Sequence, residues 1–232
     1  MTHFEQLQHF TRVEREALHT LPIICRALAG QITRKTYLAF LAEAYHHVRH
    51  TVPLLMAVGS RLTTRQRWLQ EHVVRYLEEE VGHDEWILSD IRAAGGDPNQ
   101  VREGTPGIAT DAMVAYAYDT VMRREPTGFF GMVFVLEGTS VALALSAASA
   151  LQESLKLPDN ACTYLRSHGT LDQQHVGDLE AIINRLDPAR EFRAVATCAR
   201  TIYWLYANML RELDSAQLPH TAEMAARGPA CA

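Results

Sequence analysis

Apolar residues recur at three- and four-residue steps along most of the chain, and no run alternates with the period of two that a half-buried strand needs. This pattern predicts helices, separated by sparse Gly and Pro punctuation. The first covers about residues 3–29, with Pro22 bending or dividing it and Gly30 ending it. The second, about 33–60, puts Tyr37, Phe40, Leu41, Ala44, Tyr45 and Val48 on one side, with a kink expected at Pro53. The third, about 64–94, runs from a Thr63/Thr64 cap to a Gly95-Gly96 stop. It carries Leu69, Val73, Tyr76, Leu77, Glu80, His83 and Ile87 along one stripe. After a Gly- and Pro-rich loop come helices at about 110–124 and 126–156, one at about 158–168 interrupted at Gly169, one at about 170–186, and a last at about 188–215. The expected architecture is all-α, a single-domain bundle of seven to eight helices over residues 1–218, followed by a flexible tail over 219–232.

One segment departs from the amphipathic pattern. Residues Phe129 to Leu151 are nearly all apolar or small, long enough for a membrane span, yet Glu137 sits among them. A carboxylate at mid-bilayer is costly, so a buried core helix is the expected reading and no membrane partner is expected. An ionised Glu in a protein core is also costly, so Glu137 must be neutral, paired with a base such as an Arg across the helix interface, or bound to a metal.

Composition narrows the classes. With 232 residues, 47% hydrophobic and 21% charged, the chain can bury a core. Lys+Arg 22 against Asp+Glu 27 gives a net charge of −5, with no basic stripe for phosphates, so nucleic acid is not an expected partner. Cys25, Cys162, Cys198 and Cys231 lack CxxC spacing, and the polar N-terminal stretch shows no targeting segment, so the expected location is cytoplasmic.

Three places put metal-ligand residue types in apolar surroundings. Glu80 and His83 have the Glu-x-x-His spacing by which helical bundles present a carboxylate and an imidazole to one iron. Glu137 is the second. His168, Asp172 and His175 share one stripe of a helix. Glu79, within one turn of His83, is a fallback for Glu80. Three carboxylates and three imidazoles suit two iron ions, with manganese the alternative; a structural zinc would call for thiolates. Two ferrous ions bring about +4 against −3, leaving a small positive excess for an anionic substrate.

The order Glu-x-x-His, then a lone Glu, then His-x3-Asp-x2-His resembles the haem-oxygenase-like diiron oxidases, within the wider fold of thiaminase-II (TENA/THI-4-like), pyrroloquinoline-quinone synthase and haem oxygenase. The second helix, GQITRKTYLAFLAEAYHHVRHTVPLL, is similar to its counterpart in that fold, so the resemblance covers about residues 10–215. It implies a non-haem iron, O2-activating oxidase or oxygenase that takes a small or medium carboxylate- or amine-containing substrate into a helical cavity. Electrons would come from a donor that the sequence does not identify. It also implies one iron on Glu80, His83 and His168 and another on Glu137, Asp172 and His175. Members that sacrifice their own side chains carry a Tyr just before the lone Glu and a later Lys on that helix. Here Leu136 precedes Glu137 and the first later Lys is Lys156.

In this fold the second helix lines the cavity, making His47 and His50 candidate substrate contacts, with Tyr76 a third; Arg75 and Arg123 are weaker candidates for holding a carboxylate. The alternatives are a metal-free thiaminase-II-like hydrolase or ligand-binding protein of the same fold, and haem binding through an early His such as His19. A homodimer is the expected assembly.

Overall fold

The structure, a computed structural model, describes residues 1–215; of residues 170–174 it describes the backbone but not the side chains, and the expected tail at 219–232 lies outside the described residues. Among the described residues every regular element is helical. The first predicted helix is three, α1 (His3–Phe10), α2 (Arg12–His19) and α3 (Pro22–Leu28), and the second is two, α4 (Arg34–Val48) and α5 (Thr51–Arg61). Pro53 explains the second division: it has no N–H to give to the Arg49 carbonyl four residues back, and its ring pushes against that carbonyl, so the chain turns at residues 49 and 50.

The third predicted helix is also broken, into α6 (Gln70–Glu80) and α7 (His83–Ala93). Val81 is extended and Gly82 takes a left-handed φ of 91°, a conformation that glycine adopts without steric cost. The short α8 (Pro98–Glu103) follows, capped by the Asp97 side chain, and then α9 (Ile108–Arg123). α10 (Phe129–Leu155), α11 (Thr163–Arg185) and α12 (Glu191–Ser215) complete the bundle. The interruption expected at Gly169 does not occur: α11 is continuous, and the glycine serves close packing instead, because a Cβ there would lie 2.7 Å from the Leu145 side chain of α10.

α10 is the central element, packed along both α11 and α12. Its first turns bury Phe129, Phe130, Met132, Val133, Phe134 and Val135, and Gly131 lets the α12 backbone approach so closely that an added methyl would overlap the Val195 carbonyl. The helix is long and apolar enough to cross a membrane, but 61% of its apolar window is buried against the rest of the bundle, as a core helix requires. Burying a large aliphatic or aromatic side chain contributes about 1.5–3 kcal/mol, so this segment anchors the fold.

Candidate functional site

Glu80 and His83 meet by a route that the uninterrupted stripe does not describe. Glu80 closes α6, His83 opens α7, and the Val81-Gly82 turn folds them together, with His83 Nδ1 3.2 Å from Glu80 Oε2. Both are buried. The His83 Nδ1 is out of line for a good hydrogen bond despite that proximity, and its ring stacks on Trp86 at 4.2 Å. His168, from α11, meets the His83 ring edge-on at 4.8 Å, and its Nδ1 lies 3.0 Å from the Tyr164 carbonyl, which fixes the ring.

Across the same space, Glu137 of α10 faces His175 of α11, with His175 Nδ1 3.4 Å from Glu137 Oε1. The single proton of the Tyr76 hydroxyl is shared weakly between Glu137 Oε2 at 3.5 Å and the His175 carbonyl at 3.4 Å. Two groups of potential ligand atoms result, each lying within 4.8 Å: Glu80, His83 and His168 form one, and Glu80, Glu137 and His175 form the other. The first is the set expected for one ion. In the second Glu80 takes part again, so this carboxylate stands between the two groups. The Asp172 side chain, expected beside Glu137 and His175, lies outside the described residues. Glu79 belongs to neither group; it is partly exposed and holds His175 Nε2 from outside at 3.0 Å.

The electrostatics fit a cation. Burial pushes the Glu80 carboxyl up, but the imidazoles of His83, His168 and His175 outweigh it and hold the group below the usual carboxylate range. The Tyr76 hydroxyl is pushed up by burial and by the Glu137 and Glu80 carboxylates, so it stays protonated and remains a donor. Imidazole and carboxylate in this proportion, with His83 Nδ1 lacking a well-aligned hydrogen bond, are a donor set that iron or manganese accepts.

The cluster opens onto a cavity of about 170 Å³ between α3, α4, α5, α6, α10, α11 and α12. Glu80, Glu137, His168, Tyr76, His47 and Ser140 line its wall, as do Thr36, Thr51 and Thr139, and the rest is aliphatic and aromatic. His47 lines it as expected; burial, with the nearby His168, His50 and His46, pushes that imidazole down to about 3. His50 does not line it, its Nδ1 lying 3.1 Å from the Tyr118 hydroxyl instead. Arg75 and Arg123 are likewise elsewhere, paired with Asp178 and Asp119. Ser140 is a residue that sequence reasoning passed over; its position one turn after Glu137 on the same helix was the available signal. Neither Cys162 nor Cys198 lines the cavity, and burial pushes the Cys198 thiol up to about 12, far from a reactive thiolate. His19 does not line it either.

Comparison with known proteins adds a family and a fold. A profile described as iron-containing redox enzyme matches residues 38–207. No curated protein sequence matches. Among solved structures, a domain of unknown function with a haem-oxygenase-like fold from Shewanella denitrificans OS217 superposes with a TM-score of 0.83 at 21% identity, over 92% of each chain. A TenA homologue from P. horikoshii OT3 gives 0.76 at 9% identity, covering 92% of this chain and 98% of its own. Haem oxygenase-1 from the cyanobacterium Synechocystis sp. PCC6803, in complex with haem, gives 0.73 at 11% identity, over 93% and 94%. Likeness at such identities establishes the haem-oxygenase-like fold and leaves the chemistry to the site.

Proposed function

This chain belongs to the family of iron-containing redox enzymes, and from that premise we propose that its buried cluster holds two iron ions and that it is a non-haem, O2-activating oxidase or oxygenase. The observation that carries the reading is the pair of ligand groups sharing Glu80 at the wall of a largely apolar cavity. Glu80, His83 and His168 would hold one ion. Glu137 and His175, with Glu80 between the sites, would hold the other, and Asp172 is proposed as the remaining ligand. Bound iron supplies electron transfer to O2 and the oxidation of an organic substrate.

The chain's own residues do the rest. The Tyr76 hydroxyl, kept protonated, orients Glu137, and the Tyr164 carbonyl orients His168. The aliphatic wall excludes water from the reacting end and favours a substrate with an apolar body. Leu136 stands before Glu137, and Lys156 lies at the exposed C-terminal cap of α10, so the reading does not use sacrificial side chains. A small-molecule substrate, O2 and an external electron donor complete the proposal.

Anaerobic loading with ferrous iron tests it. About two irons per chain are expected, with a transient visible absorption on exposure to O2 that Glu137→Ala abolishes. Fewer than one iron per chain overturns the reading. The likeness to TenA homologues keeps a second reading in view, a metal-free thiaminase-II-like hydrolase or ligand-binding protein. The absence of a cysteine from the described cavity lining counts against the thiol chemistry of that reading, and activity retained in chelator-treated protein would establish it.

A further inference from the structure

We propose that a groove between the end of α9 and the start of α12 binds the phosphate group of a small anionic ligand. The groove holds about 300 Å³, its walls include Tyr116, Thr120, Arg124, Arg190, Arg193 and Ala194, and it shares no lining residue with the cavity beside the carboxylate–imidazole cluster. The inference therefore stands apart from the metal reading. Gly128 brings the two walls together: a Cβ there would lie 2.7 Å from the Thr120 methyl and 3.5 Å from Ala194 Cβ, so the helices face each other across one glycine. Arg124 follows Thr120 by one turn, Arg190 precedes Ala194 by one turn, and Arg193 adjoins it. Side chains one turn apart stand about 5–6 Å from each other, a span that arginine's long arm covers, so all three guanidiniums can reach one group over Thr120. Arg190 Nε also lies 2.6 Å from Glu125, the neighbour of Arg124, which puts both arginines at the same edge.

These donors are not used up by the fold. Arg124 holds Asp119 and Arg190 holds Glu125, each through Nε at 2.6 Å, and among the described residues the Nη groups of neither make a hydrogen bond. Arg193 is exposed and has no acidic partner among them. Thr120 is 3% exposed, and its hydroxyl has no hydrogen-bond partner. A helical threonine ordinarily turns that hydroxyl back to the carbonyl one turn before, as Thr139 does to Val135 at 2.6 Å and Thr201 to Thr197 at 3.0 Å. Recognition falls to side chains, because the Ala189 and Arg190 amides already donate to Asp187 Oδ1 at 3.1 and 3.0 Å. Charge names the class. The three segments that Gln66 and Glu125 tie together, 60–68, 119–128 and 184–193, carry eight Arg against four acids, a net of +4 in a chain of −5. A phosphate offers three terminal oxygens on which several forked donors converge, whereas a carboxylate offers two, and the chain already supplies one carboxylate each to Arg124 and Arg190.

The test is calorimetric titration of inorganic phosphate and of phenyl phosphate into the full chain at about pH 8, where both are dianions. Inorganic phosphate is expected to bind with a dissociation constant below about 1 mM. Arg193→Ala should weaken it at least about tenfold, and Thr120→Val, which keeps the side-chain shape, about threefold. Arg102→Ala removes the same charge outside the groove, where Arg102 pairs with Glu85, and should change binding by less than about twofold. If Thr120→Val does not fold, Arg193→Ala, at an exposed position, carries the test. Phenyl phosphate binding within about tenfold of inorganic phosphate supports the site as one for phosphate esters, and a larger loss supports it for free phosphate alone. A constant above about 1 mM, equal losses in Arg193→Ala and Arg102→Ala, or no loss in Arg193→Ala overturns the proposal.

Discussion

Two buried acidic clusters flank the first half of α10, and they are built on opposite principles. At its N-terminal end Glu125 accepts from Gln66 Nε2 at 3.0 Å and from Thr127 Oγ1 at 3.2 Å, and it pairs with Arg190 Nε at 2.6 Å. Gln66 also reaches Glu191 at 2.7 Å, so the cluster ties the turn before α6 to the start of α12. Further along, Glu80 and Glu137 converge with imidazoles instead. A guanidinium and an amide bring their own protons to a carboxylate and complete it, whereas an imidazole has a ring nitrogen that, when unprotonated, can bind a cation together with the carboxylate. The first cluster is a structural clasp. The second brings together the donor atoms of a candidate metal site.

That contrast can be broken experimentally, and the largest effect is expected at Glu80. Because it belongs to both ligand groups, Glu80→Ala should lower iron uptake from about two to below about one per chain and cut turnover at least about a hundredfold. Metal analysis and a rate assay read this, and a variant that still takes up two irons would remove Glu80 from its central place. Glu125→Ala should do the opposite, lowering unfolding free energy by about 2–3 kcal/mol in urea titrations while the folded protein keeps its full iron content.

The smallest effect concerns His47 and pH. Its folded pKa, about 3, lies below the unfolded value of 6.5, so the unfolded chain takes up the proton first and stability falls as pH drops below 6.5. At about 1.36 kcal/mol per unit, going from pH 7 to pH 5 should cost about 2 kcal/mol from this residue. His47→Leu should flatten the profile by that amount; equal slopes in the two proteins would mean that His47 is not buried neutral.

Much of the fold was legible because it depends on local chemistry. Pro22 and Pro53 divide helices wherever they fall in a helical pattern, and the apolar run from Phe129 had to be a core helix once Glu137 was weighed against a bilayer. The reading failed at glycines, whose role depends on what lies across from them. Gly82 breaks a stripe that looked continuous, taking a left-handed φ, while Gly169 looked like a break and is a packing contact. His50 illustrates the same limit among candidate site residues: three positions after His47, it pairs with Tyr118 outside the cavity lining.

By itself, then, the order of residues determined the all-helical class, the family resemblance and the residue types that converge on the cluster, because periodicity, capping and ligand chemistry are properties of short stretches. Only the tertiary structure decided that Glu80 joins both ligand groups, that Glu125 rather than Glu137 meets the arginine of the structural clasp, and that His47 and Ser140 share one apolar cavity. Those outcomes depend on which helices lie against which, and a buried side chain's role is set by partners that are distant in sequence.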